Sequence, residues 1–390
     1  MPHTKPAVLE LCLTLDTGGL ERVVVNLSNE LSRCGAVSPR ICTVGQTTGN
    51  VIPATIRRDV EWTELKGKPF FTLKTALQLT RLVRRQQVSL IHAHGTQPLV
   101  YALTASMMCG TPIVFTKHNS YEDLDFFQRH RVFQRIACHK VRQFIGVSDQ
   151  ATEMLRRVFK PAPLRCQTLI NGTELPEKMA RKDCGEFNGY SASDKFVIAT
   201  VCRLAPEKDI VTLLWAFASV HATAPNTELW IVGDGGERRN LVQLAENLGI
   251  KESVRFWGFR GKVDQILTCA DLFVNSSWTE GISISILEAM SLGLPIVATS
   301  VGGTPTIVKD EINGLLVEPR SPHQLGSAML RLAQDRALCR KFGASSREQV
   351  ERHWSLQRMT ERYLEMYYDA LGIEPPLEVP DSTVPSSKAS

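Results

Sequence analysis

Two glutamates, Glu280 and Glu288, stand at the two ends of the run ISISIL within TEGISISILEAMSLGLPIVATSVGG, Thr279 to Gly303. A helix that meets a core is apolar along that face, so a carboxylate inside one needs a partner, and an ionised carboxylate can only accept hydrogen bonds. LEAMSLG favours a helix running from about Ile282 until Gly293 and Pro295 stop it, although the alternation ISISI also fits a strand. On the helical reading Glu288 lies about two turns in, and the carboxylates are ~12 Å apart at ~1.5 Å per residue. That is roughly the span from the sugar to the ribose of a nucleotide-sugar. Glu280 would then accept from hexose hydroxyls and Glu288 from the ribose, while the free backbone N–H groups of Gly281, Ile282 and Ser283 receive the diphosphate between them. A plainer reading has Glu280 complementing the helix dipole and Glu288 facing solvent.

VCRLAPEKD adds two cations, Arg203 just past a strand-like run and Lys208 in a loop that precedes a helix. Arg donates two parallel hydrogen bonds to a phosphate and Lys acts as a point charge, so the pair suits a diphosphate; a local pairing of Lys208 with Asp209 also fits. In DTGGLERVV, Gly18 and Gly19 sit between a strand and a helix start, where the backbone can approach an anion or simply turn. Their spacing is not the G-x-G-x-x-G of dinucleotide sites.

IHAHGTQP and FTKHNS place His92, His94, His118 and Asn119 near strand ends in the first half, where imidazoles can serve sugar hydroxyls or a developing charge, or fill a structural role. The alternation of neighbouring strand residues between faces, with no cysteine or carboxylate cluster beside the two histidines of IHAH, argues against a metal pair, so no metal site is expected. Phe126 to Phe144 reads as a basic amphipathic helix, apolar at Phe126, Phe133, Ile136, Ala137 and Val141, with Arg129, Arg131, Arg135 and Arg142 on its other sides. Anionic lipid or an ordinary core would each satisfy its apolar face.

These groups need a frame that gathers loops at one edge. VLELCLTL, SPRICTV, VSLIHAH, TPIVFTKH and QFIGVSD read as strands in the first half, and FVIATVCRL, TELWIVGDG, SVRFWGF, DLFVNSS and LPIVATS in the second. Helical stretches such as LERVVVNLSNELSRC and VTLLWAFASVHATA alternate with them, an order that implies right-handed crossovers and parallel sheets. The expected architecture is α/β, two doubly wound domains with ligands beyond the carboxyl ends of the strands. Residues 1–170 form the first and 195–355 the second. The irregular polar stretch from Leu164 to Asp194 contains the connection, placed at 171–194. SLQRMTERYLEMYYDALG predicts a helix within 356–373, and the Pro/Ser-rich 374–390 is expected to be disordered.

Composition excludes fibrous and wholly disordered classes, with 43% hydrophobic and 22% charged residues in 390. The ten cysteines include no C-x-x-C pair and fall largely in apolar runs, so reduced thiols are expected. Neither a signal peptide nor an apolar run of membrane-spanning length is evident, and a cytoplasmic protein is expected. The net charge of +5 divides unevenly: residues 1–170 carry +10 and residues 171–390 carry −5, so the first half suits an anionic partner.

In order and spacing, GGLERV, INGTE, RLAPEKD, IVGDGGERRNL, VRFWGF, the two-glutamate stretch and SVGGTPTIV closely resemble the retaining glycosyltransferases of family 4 over nearly the whole chain. The resemblance implies the GT-B fold, two facing Rossmann-like domains with a deep cleft between them. It also implies a hexose moved, without metal or other cofactor, from a nucleotide-diphosphate sugar to a polysaccharide, lipopolysaccharide or lipid-linked acceptor. UDP is the family's default carrier. Carried over residue by residue, Arg203 and Lys208 hold the diphosphate, Glu280 contacts the sugar and Glu288 the ribose. Gly281, Ile282 and Ser283 supply N–H groups, and Gly258 lies near the base. His118 matches the cleft histidine, Gly18 and Gly19 match the first-domain glycine loop, and His94 and Asn119 are candidates for the acceptor side. The only D-x-D spacing, Asp123 and Asp125, lies in the first half, away from this donor site. The resemblance is also compatible with an inner-membrane-face location, with no nucleic acid as partner.

Overall fold

The computed structural model describes residues 5–16, 18–49, 52–68, 71–118, 125–176 and 195–375. Asn119, Asp123 and the segments 177–194 and 376–390 lie outside the described residues. The chain divides into two compact units: Met1–Asn171 together with Leu356–Ser390, and Gly172–Ser355.

In the first unit the strands are β1 (Ala7–Cys12), β2 (Ser38–Thr43), β3 (Glu61–Glu64), β4 (Leu90–His94), β5 (Ile113–Lys117), β6 (Val141–Gly146) and β7 (Cys166–Thr168). They form one parallel sheet in the order β3-β2-β1-β4-β5-β6-β7. The helices are α1 (Gly19–Cys34), α2 (Leu73–Arg85), α3 (Thr96–Cys109), α4 (Asp125–Arg129), α5 (Arg131–Lys140) and α6 (Asp149–Phe159). A sheet covered on both faces needs apolar residues at successive positions, which is why AVLELC is buried throughout. Leu9, Leu11, Ile91, Ala93 and Phe115 pack with Leu79 of α2 and Leu103 of α3 on one face. On the other, Cys12 and Ile41 pack with Val24 and Val25 of α1.

The second unit repeats the plan with β8 (Phe196–Val201), β9 (Thr227–Val232), β10 (Val254–Gly258), β11 (Leu272–Asn275), β12 (Ile296–Thr299) and β13 (Gly314–Val317). Their parallel order is β10-β9-β8-β11-β12-β13. Its helices are α7 (Ile210–Thr223), α8 (Arg238–Asn247), α9 (Val263–Leu267), α10 (Ile284–Ser291), α11 (Thr304–Ile307), α12 (Pro322–Gln334) and α13 (Arg336–Gln349). The last helix, α14 (Leu356–Leu371), returns to the first unit, where it packs on α1 and on β4, β5 and β6. Both sheets reverse their order of filling, between β1 and β4 in one and between β8 and β11 in the other. Loops leaving the carboxyl ends of those strand pairs diverge and open a crevice for ligands.

Three readings need correction. Phe126 to Phe144 is not one helix: it breaks at His130, and Val141 is already extended as the start of β6. Phe133 and Ile136 of α5 pack against the core of the first unit, while Arg129, Arg131, Arg135 and Arg142 are exposed. The helix expected from Ile282 begins at Ile284, so Glu288 is one turn in rather than two and the ~12 Å helical rise does not apply over the whole interval. Three strands, β3, β7 and β13, were not foreseen. Among the described residues the cysteines are free thiols, and no helix is long and apolar enough to cross a membrane.

Candidate functional site

Lys208 and Glu280 leave the two strands that flank the reversal of the second sheet, β8 and β11, and meet there. Lys208 Nζ lies 2.5 Å from Glu280 Oε1. The same carboxylate oxygen accepts from Ser277 Oγ at 2.7 Å and from Asn275 Nδ2 at 3.4 Å. The loops that carry the pair are tied to each other: Ser276 Oγ donates to Lys208 O at 2.8 Å and Trp278 N to Glu207 O at 3.0 Å.

The loop after β12 closes on the same point, with Thr299 Oγ1 donating to Ser277 O at 2.5 Å and Gly303 N to Gly281 O at 2.8 Å. Gly302 adopts φ +54, and a Cβ there would stand 1.8 Å from Glu280 O, so this approach of backbone to backbone requires glycine. Glu280 is thus held by three strand-end loops and is buried. Ser277, Asn275 and Gly302 were not singled out from the sequence. The polar run NSS at a strand end and the Gly-Gly after the next strand were the available signals.

Asp209, the alternative partner of Lys208, has another task. At φ +48 it caps α7, its Oδ1 accepting from Thr212 N at 3.3 Å. The anion-attracting end of α7 therefore holds a carboxylate of the chain itself, whereas α10, which starts just past Glu280, has no side-chain cap. Arg203 is 70% exposed and donates to Glu207 Oε1 at 2.7 Å. Burial opposes ionisation of Glu207, but its backbone N–H and Arg203 hold its carboxyl below the usual range. Glu288 is half-buried on α10. Gly258 ends β10 at φ +67, and its carbonyl accepts from Gly233 N at 2.9 Å, joining the loops after β9 and β10.

In the first unit, Gly18 is extended and Gly19 opens α1. The loop after β1 is tied to that after β2 by Asp16 Oδ1, which accepts from Thr48 N at 2.7 Å and Gly49 N at 3.0 Å. His92 and His94 correct the expectation made of them. Residues two apart in a strand share a face, their rings lie 3.9 Å apart, and a carboxylate does accompany them, since Glu10 of β1 is in register with His92. All three are buried.

Glu10 Oε2 accepts from His94 Nε2 at 2.7 Å and lies 2.9 Å from His92 Nδ1, while Oε1 accepts from Tyr367 OH of α14 at 2.8 Å. His92 Nε2 meets Thr116 Oγ1 at 2.7 Å, and His94 Nδ1 meets His118 Nε2 at 2.9 Å. Glu10, His92 and His94 are also close enough to share a metal ion. Two ligands of one tetrahedral zinc at bonds of ~2.0 Å stand about 3.3 Å apart, however, and the shorter contacts here are those of hydrogen bonds. Burial alone would raise the Glu10 pKa; the charge and hydrogen bond of His92 and the hydrogen bond of His94 outweigh it and bring the carboxyl down to about 2. Burial, with His92 beside it, lowers His94 to about 4 and also pushes His118 down.

Residues 17–175 match the model of Glycosyltransferase Family 4, and residues 186–349 that of Glycosyl transferases group 1. The chain belongs with the family 4-like glycosyltransferases of the GT-B fold. As a glycosyltransferase it is similar to N-acetyl-alpha-D-glucosaminyl L-malate synthase of Bacillus anthracis, 26% identical over 78% of this chain and 80% of that one. It is also similar to the UDP-Gal:alpha-D-GlcNAc-diphosphoundecaprenol alpha-1,3-galactosyltransferase of Escherichia coli, at 24% identity over 76% and 79% of the two chains. In fold this glycosyltransferase resembles Anabaena HepE, solved in complex with UDP and glucose, with a TM-score of 0.80 and 20% identity over 93% of this chain and 99% of the other.

Proposed function

We propose that this glycosyltransferase retains anomeric configuration and moves a hexose from a nucleotide-diphosphate sugar, a UDP-sugar first among them, to a glycan or lipid-linked acceptor of polysaccharide or lipopolysaccharide assembly. The observation that carries this reading is the 2.5 Å contact of Lys208 with Glu280 at the reversal of the second sheet. In a nucleotide-sugar the phosphate is joined directly to the sugar, so a phosphate-binding cation and a hydroxyl-binding carboxylate must be neighbours. The UDP-containing structure of HepE and the UDP-Gal donor and diphosphoundecaprenol acceptor in the name of the E. coli relative support the same substrate classes.

In the mechanism we infer, the anomeric carbon–oxygen bond breaks with its electron pair passing to the diphosphate. Lys208, Arg203 and the N–H groups of Gly281, Ile282 and Ser283 at the approach to α10 take up that charge, a preorganised stabilisation needing no resident metal. The acceptor hydroxyl attacks from the face the phosphate leaves, and its proton passes to the departing phosphate oxygen. Glu280 orients the hexose, Glu288 the ribose, and Gly258 borders the base. His118, with Gly18, Gly19, His94 and Asn119, serves the sugar and acceptor from the first unit. The +10 charge of residues 1–170 suits an anionic membrane surface carrying that acceptor, which vesicle flotation with and without anionic lipid tests. The decisive assay incubates wild-type protein with UDP-glucose, UDP-galactose and UDP-N-acetylglucosamine and a lipid-diphosphate glycan, with and without EDTA. NMR of the product should show the donor's anomeric configuration; an inverted product, or turnover abolished by EDTA, overturns the mechanism.

A further inference from the structure

The hydrogen-bond chain inside the first unit determines which nitrogen of His118 carries a proton. Glu10 is ionised and accepts only, so the hydrogen bond at 2.7 Å requires the proton of His94 to sit on Nε2. His94 is fully enclosed beside His92 and remains neutral, which leaves its Nδ1 bare. A bare Nδ1 accepts, so His118 Nε2, at 2.9 Å, must donate. Burial, with His94, His92 and Lys117 beside it, pushes His118 well below its ordinary value, so it is neutral at neutral pH with its own Nδ1 unprotonated, and among the described residues that nitrogen has no hydrogen-bond partner. The rest of the cluster leaves Glu10 little freedom to turn, because Tyr367 OH holds its other oxygen and His92 is held by Thr116. Lys117, also buried, is the neighbouring cation on β5.

We propose that Glu10 and His94 are positioning residues that present His118 Nδ1 as a hydrogen-bond acceptor for a hydroxyl of the sugar or of the acceptor substrate. A histidine left to choose its tautomer would donate as readily as it accepts; this one is committed to accepting. The catalytic part of the proposal rests on the reading that His118 serves the transferred sugar, whereas the tautomer does not.

Two experiments separate them. In wild-type protein labelled with 15N-histidine, long-range proton–nitrogen spectra, assigned with His118→Asn, should show His118 protonated at Nε2 and bare at Nδ1 at neutral pH; a proton on Nδ1 overturns the proposal without touching the assigned family. In Glu10→Gln the amide can donate to His94 Nε2, which reverses the chain and puts the His118 proton on Nδ1, as a carboxylate-to-amide exchange does at other carboxylate–histidine pairs. With the UDP-sugar that wild-type protein turns over, Glu10→Gln should lower kcat by about 10-fold or more while KM for that donor stays within about twofold, and Glu10→Asp should recover part of the loss. An unchanged kcat alongside a reversed tautomer overturns the proposal and leaves the donor chemistry at Lys208 and Glu280 standing.

Discussion

Glu10 and Glu280 are both buried carboxylates at the point where a parallel sheet reverses its order, yet they are satisfied in opposite ways. Glu10 sits within a strand and accepts from side chains of β4 and of α14, all enclosed. Glu280 sits past a strand end, and its partners are Ser277 and the partly exposed Lys208 in loops, together with Asn275 at the last residue of β11. A carboxylate locked inside the layer can only orient other groups of the protein. One at the rim, paired to a flexible ammonium, can exchange partners with a ligand. Burial marks both glutamates equally; what their partners stand on distinguishes positioning from binding.

The sharpest way to break this contrast is to remove each carboxylate. Glu10→Ala removes the acceptor shared by the enclosed His94 and Tyr367, and leaving those donors unsatisfied should cost about 1–3 kcal/mol each in chemical denaturation, whereas Glu280→Ala should unfold near the wild-type midpoint. Equal losses in the two variants would erase the distinction. Acid provides a second probe. Unfolded His94 takes up a proton near its ordinary value of about 6.5, while folded His94 resists until about 4; the unfolded state therefore binds more protons in that window and stability falls as pH drops through it. The loss from His94 approaches about 3 kcal/mol, and Glu10, whose folded value is depressed to about 2, extends it below the usual carboxylate range. Melting temperature followed from pH 7 to 4 should decline, with a shallower slope in His94→Asn. A flat wild-type profile would remove the neutral histidine from the account.

Turnover should show the reverse pattern. Lys208→Ala and Glu280→Ala should each lower it at least ~100-fold, by analogy with loss of one preorganised donor, with little change in melting; near wild-type rates in both would exclude the rim as the donor site. The smallest effect on stability is expected at Arg203, whose exposed pairing with Glu207 should contribute less than about 1 kcal/mol, so Arg203→Ala should melt with wild-type protein while its turnover and donor affinity fall by less than in Lys208→Ala.

Strands that lie between two neighbours were legible because enclosure on both faces demands an apolar run. The three that escaped, EWTE, CQT and GLLV, are the edge strands β3, β7 and β13. Two of them are polar and partly open on their faces, and the third, GLLV, is apolar and mostly buried but only four residues long. Lys208 and Glu280 were readable from residue type and strand-end position. Their mutual contact was not, since it depends on strands far apart in sequence becoming neighbours. The histidine cluster was missed because two of its members, Glu10 and Tyr367, are separated by almost the whole chain, and because alternation was applied to His92 and His94 as though they were adjacent.

The return of α14 has a consequence for synthesis. Tyr367, which closes the Glu10 cluster, follows the whole of Gly172–Ser355 in the chain. At ~5–20 residues per second a ribosome needs on the order of 10–40 s to translate that stretch. Throughout that interval the emerging amino-terminal sheet has β4 and β5 uncovered where α14 will lie, a nascent surface that offers chaperones a defined target until translation supplies the missing helix.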